Sequence, residues 1–267
     1  MENKLSGLES MVVYDLMVVL KYLTKKDKGS LRASSTTLLR RIDELEKNTF
    51  KVWRIHGEVD SSRLKRLSDE IRTIQELAIY TLITPGCGPA FNYLVEKHEE
   101  LESIRIGFVK HENEYENKDQ DEIVLRTLSH NNLKSITIYG MKNTGDITGR
   151  LPSTLPNLEK LQLTADCDEL SNGGLVEILR ISGSKLRYLD VSWTSVTGVG
   201  FKDGVKSLPM LENLKLVFCD ELTEEGLQEI LSTAGNRLKI LCVNGERISA
   251  VCIETLRILL FNLSRNL

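Results

Sequence analysis

The chain repeats a short apolar signature, Leu-x-x-Leu-x-Leu, at intervals of 25 to 32 residues. Its clearest copies are Leu158-Glu-Lys-Leu161-Gln-Leu163, Leu186-Arg-Tyr-Leu189-Asp-Val191, Leu211-Glu-Asn-Leu214-Lys-Leu216 and Leu238-Lys-Ile-Leu241-Cys-Val243. Earlier copies start at Leu133, Leu101 and Ile74, and a degenerate first copy places Lys47, Phe50 and Val52 in the three slots. The last two slots have period 2, which predicts a short strand with one buried face. A polar turn follows, then an apolar stretch at helical spacing. In the best copy Leu227, Ile230 and Leu231 share one helical face, and Thr223 before two glutamates is a helix start. One such unit cannot bury its own apolar edge, whereas stacked units bury a continuous core. The pattern predicts an α/β chain of about eight strand–turn–helix units over residues 47–267.

Two units depart from this scheme. After Leu133 the chain runs Ile147-Thr-Gly-Arg-Leu151-Pro152-Ser-Thr-Leu155-Pro156, where the prolines and glycine argue for an extended or 3₁₀ return instead of an α-helix. After Leu101 comes the acidic insertion His111–Glu122, expected as a solvated loop or an acidic contact for a basic partner. The apolar segment Val251 to Leu263 is expected to cover the last repeat or to begin a further one.

The repeats resemble the leucine-rich-repeat family. Leu216-Val-Phe-Cys219-Asp-Glu-Leu222-Thr-Glu-Glu-Gly226-Leu227 resembles its cysteine-containing subtype, and Leu163-Thr-Ala-Asp-Cys167-Asp-Glu-Leu170 resembles it with one extra residue. The resemblance implies a solenoid with short parallel strands on the concave face and helices on the convex face. It also implies that Cys167 and Cys219 turn inward as core residues.

Residues 1–46 lie outside the repeat. Val12, Leu16, Val19, Leu20 and Leu23 fall on one helical face, a polar break follows at residues 24–30, and a second helical stretch runs from about Thr36 to Lys47. The order Tyr22-Leu23, Asp27, Leu31-Arg32-Ala33-Ser34-Ser35, Leu38 and Ile42-Asp43 is similar to the F-box, although Met11-Val12 replace the usual Leu-Pro opening and Lys28 replaces a Leu. The resemblance implies a small all-helical F-box-like domain at 1–46, ahead of a leucine-rich-repeat domain at 47–267. It further implies a substrate-recognition subunit of a Skp–cullin–F-box ubiquitin ligase, with adaptor contacts at Met11, Val12, Leu16, Leu20, Leu23 and Leu31. The alternative is a leucine-rich-repeat interaction module, a sensor or scaffold, whose N-terminal helices only cap the solenoid.

In either case the residues between the leucines point away from the core. Tyr139, Gln162, Tyr188, Asp190, Trp193, Lys215 and Phe218, with Lys160 and Asn213 beside them, form the expected target-binding surface. In a chain with only 6% aromatic residues, four aromatics near one surface point to binding. The competing expectation is that Trp193 and Phe218 fold over the turn and pack locally.

Composition narrows the chemistry. The chain has 267 residues, 41% hydrophobic and 27% charged, with net charge −3. Residues 1–46 carry +1 and the remainder −4, so neither part has the charge expected of a nucleic-acid or anionic-membrane binder. Cys87, Cys167, Cys219, Cys242 and Cys252 form no Cys-x-x-Cys pair, as expected of free thiols in a reducing compartment. With no signal-like or membrane-spanning run, the expectation is a cytoplasmic or nuclear protein. No phosphate loop, nucleophile elbow or zinc spacing is present, and His56, His98, His111 and His130 are expected to be solvated. The chain is therefore expected to be no enzyme, with no resident cofactor or metal.

Overall fold

The computed structural model describes residues 40, 49–55, 60–79, 87–108, 123–124, 126–140, 155–164, 167, 170–182, 184–205, 207–234, 237–244 and 248. The chain forms two compact units, Met1–Leu101 and Glu102–Leu267. The expected adaptor contacts from Met11 to Leu31, the acidic insertion and the segment Val251 to Leu263 lie outside the described residues.

In the first unit, strand β1 (Thr49–Ile55) runs parallel to β2 (Thr73–Ile79). Helix α1 (Ser61–Glu70) joins them and α2 (Gly88–Lys97) follows. Asp60 starts α1 by accepting the Arg63 backbone N–H at 2.7 Å. The pairing corrects the expected first repeat. Phe50 lies opposite Ile74, Trp53 opposite Leu77 and Ile55 opposite Ile79. The three slots are thus Phe50, Trp53 and Ile55, three residues later than Lys47, Phe50 and Val52. Trp53 and Ile55 are fully buried while Val52 is half-buried, so the larger apolar pair sets the register.

Helices α1 and α2 are tied by a polar edge: Tyr93 OH donates to Asp69 Oδ1 at 2.6 Å, and Lys97 Nζ donates to the Ser68 carbonyl at 2.7 Å. His98, expected to be solvated, instead terminates α2 with 2% of its surface exposed. Neither ring nitrogen has a hydrogen-bond partner among the described residues, and burial, helped by the adjacent Lys97 charge, pushes its pKa down to about 4.

The second unit contains β3 (Ser103–Gly107), β4 (Ser135–Tyr139), β5 (Lys160–Thr164), β6 (Tyr188–Asp190), β7 (Asn213–Val217) and β8 (Ile240–Asn244). Each strand pairs in parallel with the next in chain order. Helices α3 (Asn172–Ser182), α4 (Phe201–Gly204) and α5 (Glu224–Thr233) follow β5, β6 and β7. This is an α/β arrangement of repeated units with consecutive parallel strands, as the apolar pattern requires.

Two inward ladders form the core. Ile104, Ile136, Leu161, Leu189 and Leu214 are aligned in register and fully buried; Ile106, Ile138 and Leu163 are likewise aligned and buried, and Val191, just past β6, and Leu216 are fully buried in the same slot. Each such side chain contributes about 1.5–3 kcal/mol by leaving water. Beneath the strand exits, Cys219 is fully buried and its Sγ donates to the Val191 carbonyl at 3.2 Å. Cys167, also fully buried, donates to the Thr164 carbonyl at 3.3 Å. Thr194 fills the same position in the repeat between them, with Oγ1 donating to Val191 O at 2.7 Å. Burial pushes the Cys219 thiol pKa up, as for a thiol packed in the core.

Helix α5 starts as expected, with Thr223 Oγ1 accepting the Gly226 N–H at 3.0 Å. Gly226 serves close approach: a Cβ there would lie 1.9 Å from the Thr197 carbonyl oxygen. Leu155-Pro156-Asn157 form a turn and not an α-helix.

At the strand entries a row of charges alternates in sign from repeat to repeat: Glu102, Lys134, Glu159, Arg187, Glu212 and Lys239. Lys134 pairs with Glu102 at 2.9 Å, and Glu212 receives Arg187 at 3.0 Å and Lys239 at 2.9 Å. Such exposed pairs contribute at most about 1 kcal/mol each, so their effect is on register more than on stability.

His98 yields a pH prediction. Its folded-state pKa is depressed from 6.5 to about 4, so the unfolded chain takes up the proton first as the pH falls. The stability this burial requires is complete above about pH 6.5 and is lost towards pH 4, by up to about 1.4 kcal/mol per pH unit. Urea unfolding across this window should show that slope in the wild type and a flatter one in His98→Leu. Equal slopes would mean that the ring is solvated in the folded chain.

Candidate interaction face

The inward ladders force the intervening side chains onto the opposite face of the sheet of the second unit. One row runs Ser103, Ser135, Lys160, Tyr188, Asn213, Ile240, and the next runs Arg105, Thr137, Gln162, Asp190, Lys215, Cys242. Tyr188 is half-buried, with Lys160 Nζ 5.0 Å and Lys215 Nζ 5.5 Å from its ring centroid. Both lysines are within cation–π range of one ring. Burial raises the Tyr188 pKa, and the hydrogen bond with Tyr188 is the main cause raising that of Lys215. Near neutral pH Lys215 is therefore charged beside a neutral phenol.

Asp190 departs from expectation. It shares the outward face but is only 5% exposed. Its Oδ2 accepts the Tyr188 hydroxyl at 3.1 Å and its Oδ1 accepts the Ser192 backbone N–H at 3.1 Å. The carboxylate is engaged in orienting Tyr188 and shaping the strand exit, which leaves little of it for a partner. Gln162 lies beside Asp190 in register and is half-buried. Tyr139 is half-buried on β4, two strands and so about 10 Å from β6. The structure thus gathers Lys160, Tyr188, Asp190 and Lys215, with Gln162 adjacent and Tyr139 apart.

The strand exits place Trp193 and Phe218 together. Both adopt left-handed backbone, φ 62° and 57°, and their ring centroids are 4.1 Å apart at 33° between planes. They pack on each other and still remain 53% and 45% exposed, so local packing accounts for only part of their surface. A continued strand would carry both side chains inward; the positive φ turns them out. The Trp193 N–H donates to the Val217 carbonyl at 2.9 Å and the Phe218 N–H to Asn244 Oδ1 at 2.6 Å, which holds the turns. The equivalent position after β4 is Gly140, φ 71°, the residue type that this conformation favours. That equivalence was available in the sequence, because Gly140, Trp193 and Phe218 each stand two residues after the third apolar slot. The Lys160–Tyr188–Lys215 cluster was not, since it depends on the register between three strands.

Among the described residues no group of three or more His, Cys, Asp or Glu side chains is arranged to hold a metal ion, and no helix is long and apolar enough to cross a membrane.

No family model matches the chain, and no curated protein matches it. Among solved structures the chain is similar to a chain in the crystal structure of the Rad7 and Elc1 complex in yeast, at 15% identity and a TM-score of 0.42. The match covers 93% of this chain and 70% of that one.

The left-handed aromatics predict an unusual mutational response. Glycine at 193 or 218 relieves about 1–2 kcal/mol of backbone cost and forfeits about 0.5–1.5 kcal/mol of ring stacking. Trp193→Gly and Phe218→Gly should therefore unfold in urea within about 1 kcal/mol of the wild type, whereas Leu214→Ala should lose about 2–5 kcal/mol. A core-sized loss in either glycine variant would assign that ring to structural packing.

Proposed function

We propose that the chain is a protein-interaction module of the leucine-rich-repeat type, binding a target protein on the strand side as the concave face of a solenoid. We further propose that it is the substrate-recognition subunit of a Skp–cullin–F-box ubiquitin ligase. The observation that carries the binding reading is the outward strand side, which holds a tyrosine between two lysines on the sheet face and, at the strand exits, two exposed aromatic rings in left-handed backbone. Exposed aromatics with cationic neighbours are the residue types that dominate protein interfaces.

The ligase coupling rests on the F-box-like order Tyr22-Leu23, Asp27, Leu31-Arg32 and Ile42-Asp43 immediately before the repeats. On this reading Met11, Val12, Leu16, Leu20, Leu23 and Leu31 contact a Skp-type adaptor, and through it a cullin ligase. The chain itself performs no chemistry. It raises the effective concentration of its target near a charged ubiquitin-conjugating enzyme in the cytosol or nucleus. Met11-Val12 and Lys28, which depart from the F-box pattern, favour the second reading, in which the N-terminal helices only cap the repeats.

A pull-down separates the two. The purified chain should capture a Skp-type adaptor, and a Leu16→Asp/Leu20→Asp variant that is folded by circular dichroism should lose at least about tenfold in affinity. Absence of capture by the wild type would remove the ligase reading and leave the interaction module.

A further inference from the structure

The paired lysines on β5 and β7 and the paired rings at the exits of β6 and β7 have complementary features that specify more than a generic protein surface. We infer that this part of the face is a subsite for an extended acidic peptide segment of a partner protein. An acidic group of the segment lies between Lys160 and Lys215 over Tyr188, and an apolar side chain about four residues away covers the Trp193–Phe218 pair. This rests on the reading of the sheet face as an interaction surface.

Charge chooses the occupant. Lys160 and Lys215 flank one ring and form no ion pair with any described residue, and the nearby Asp190 carboxylate is only 5% exposed and already accepts two hydrogen bonds. The cluster therefore has a surplus of accessible positive charge, although the chain as a whole is −3. Asp190 supplies one negative charge against two lysines, so a basic or neutral segment would leave one positive charge uncompensated and partly desolvated.

The rings choose the second anchor. Left-handed backbone at a bulky residue costs stability, and Gly140 shows that the repeat accommodates glycine at the equivalent turn. Trp193 and Phe218 instead keep this conformation and present a stacked, half-exposed apolar platform. Strain retained beside exposed aromatic surface is the pattern of a binding anchor.

Geometry sets the spacing. Trp193 stands five residues after Tyr188, of which only Tyr188–Asp190 are strand, so the two anchors lie at most about 16 Å apart at ~3.3 Å per residue. An extended peptide covers the same distance in the same number of residues. Its acidic and apolar anchors must therefore stand three to five positions apart.

The probe is a random dodecapeptide display library, panned on the full-length folded chain. The enriched peptides should share Asp or Glu three to five positions from an aromatic or large aliphatic residue. Synthetic copies should bind at least ~tenfold more weakly to Lys160→Glu/Lys215→Glu and to Trp193→Gly/Phe218→Gly, both checked for folding. A copy with phosphoserine in place of the acid distinguishes the two sources of the anion: tighter binding assigns the lysines to phosphate, equal or weaker binding to carboxylate, and either supports an anionic subsite. Absence of enrichment, or enriched peptides that lack an acid or ignore both variants, would overturn the inference. Peptides that ignore both variants but are lost on Ser135→Trp/Gln162→Trp would leave the sheet face as the interaction surface and remove only this subsite. Loss on none of the three variants would remove both.

Discussion

Burial of two apolar slots per strand is the constraint from which the rest of the second unit follows. The slots are two residues apart, so fixing them inward fixes the residues between and beside them outward. Five successive strands align the first slot in register, and the second slot is buried in every one of these repeats with no polar interruption. A one-residue slip would exchange the apolar slots for Arg105 in β3, Ser135 or Thr137 in β4, Lys160 or Gln162 in β5, Asp190 in β6 and Lys215 in β7. The order of side chains on the outward face is therefore as rigidly set as the core itself.

The strand exits use a second constraint. A buried thiol or hydroxyl at Cys167, Thr194 or Cys219 donates to a strand carbonyl and closes the turn from below. Above it, left-handed backbone at Trp193 and Phe218 reverses the side chain that strand geometry would have buried. A small inward donor and an outward ring at neighbouring positions are thus two sides of one turn. The alternating charges at the strand entries act at the opposite ends of the strands, where like charges on adjacent repeats would oppose correct stacking.

Much of this was legible in the sequence because each repeat states the same rule. The three slots located every strand from β2 to β8, Thr223 located the start of α5, and the resemblance to cysteine-containing repeats implied that Cys167 and Cys219 are core. Failures came where the rule was diluted or the outcome depended on contacts between repeats. In the first repeat Phe50 and Val52 imitate the slots that Trp53 and Ile55 occupy, and only burial of the larger pair separates the two registers. Thr194 escaped notice because it replaces the cysteine by which its position is recognised. His98 reads as polar in sequence and is buried by the packing at the end of α2, and Asp190 alternates outward yet is claimed by Tyr188 and Ser192. The strand-entry charges stand one per repeat and cancel in pairs, so composition does not register them.

The proposed binding surface is the outward strand face, with the helices as its support. A photocrosslinker scan in cells tests this most directly, with benzoylphenylalanine placed singly at Ser135, Gln162, Asn213 and Val217 on the strands and at Arg180, Gln228 and Ser232 on the helices. The account predicts one discrete crosslinked partner from neighbouring strand positions and none from the helix positions. Crosslinks confined to the helix positions would contradict it.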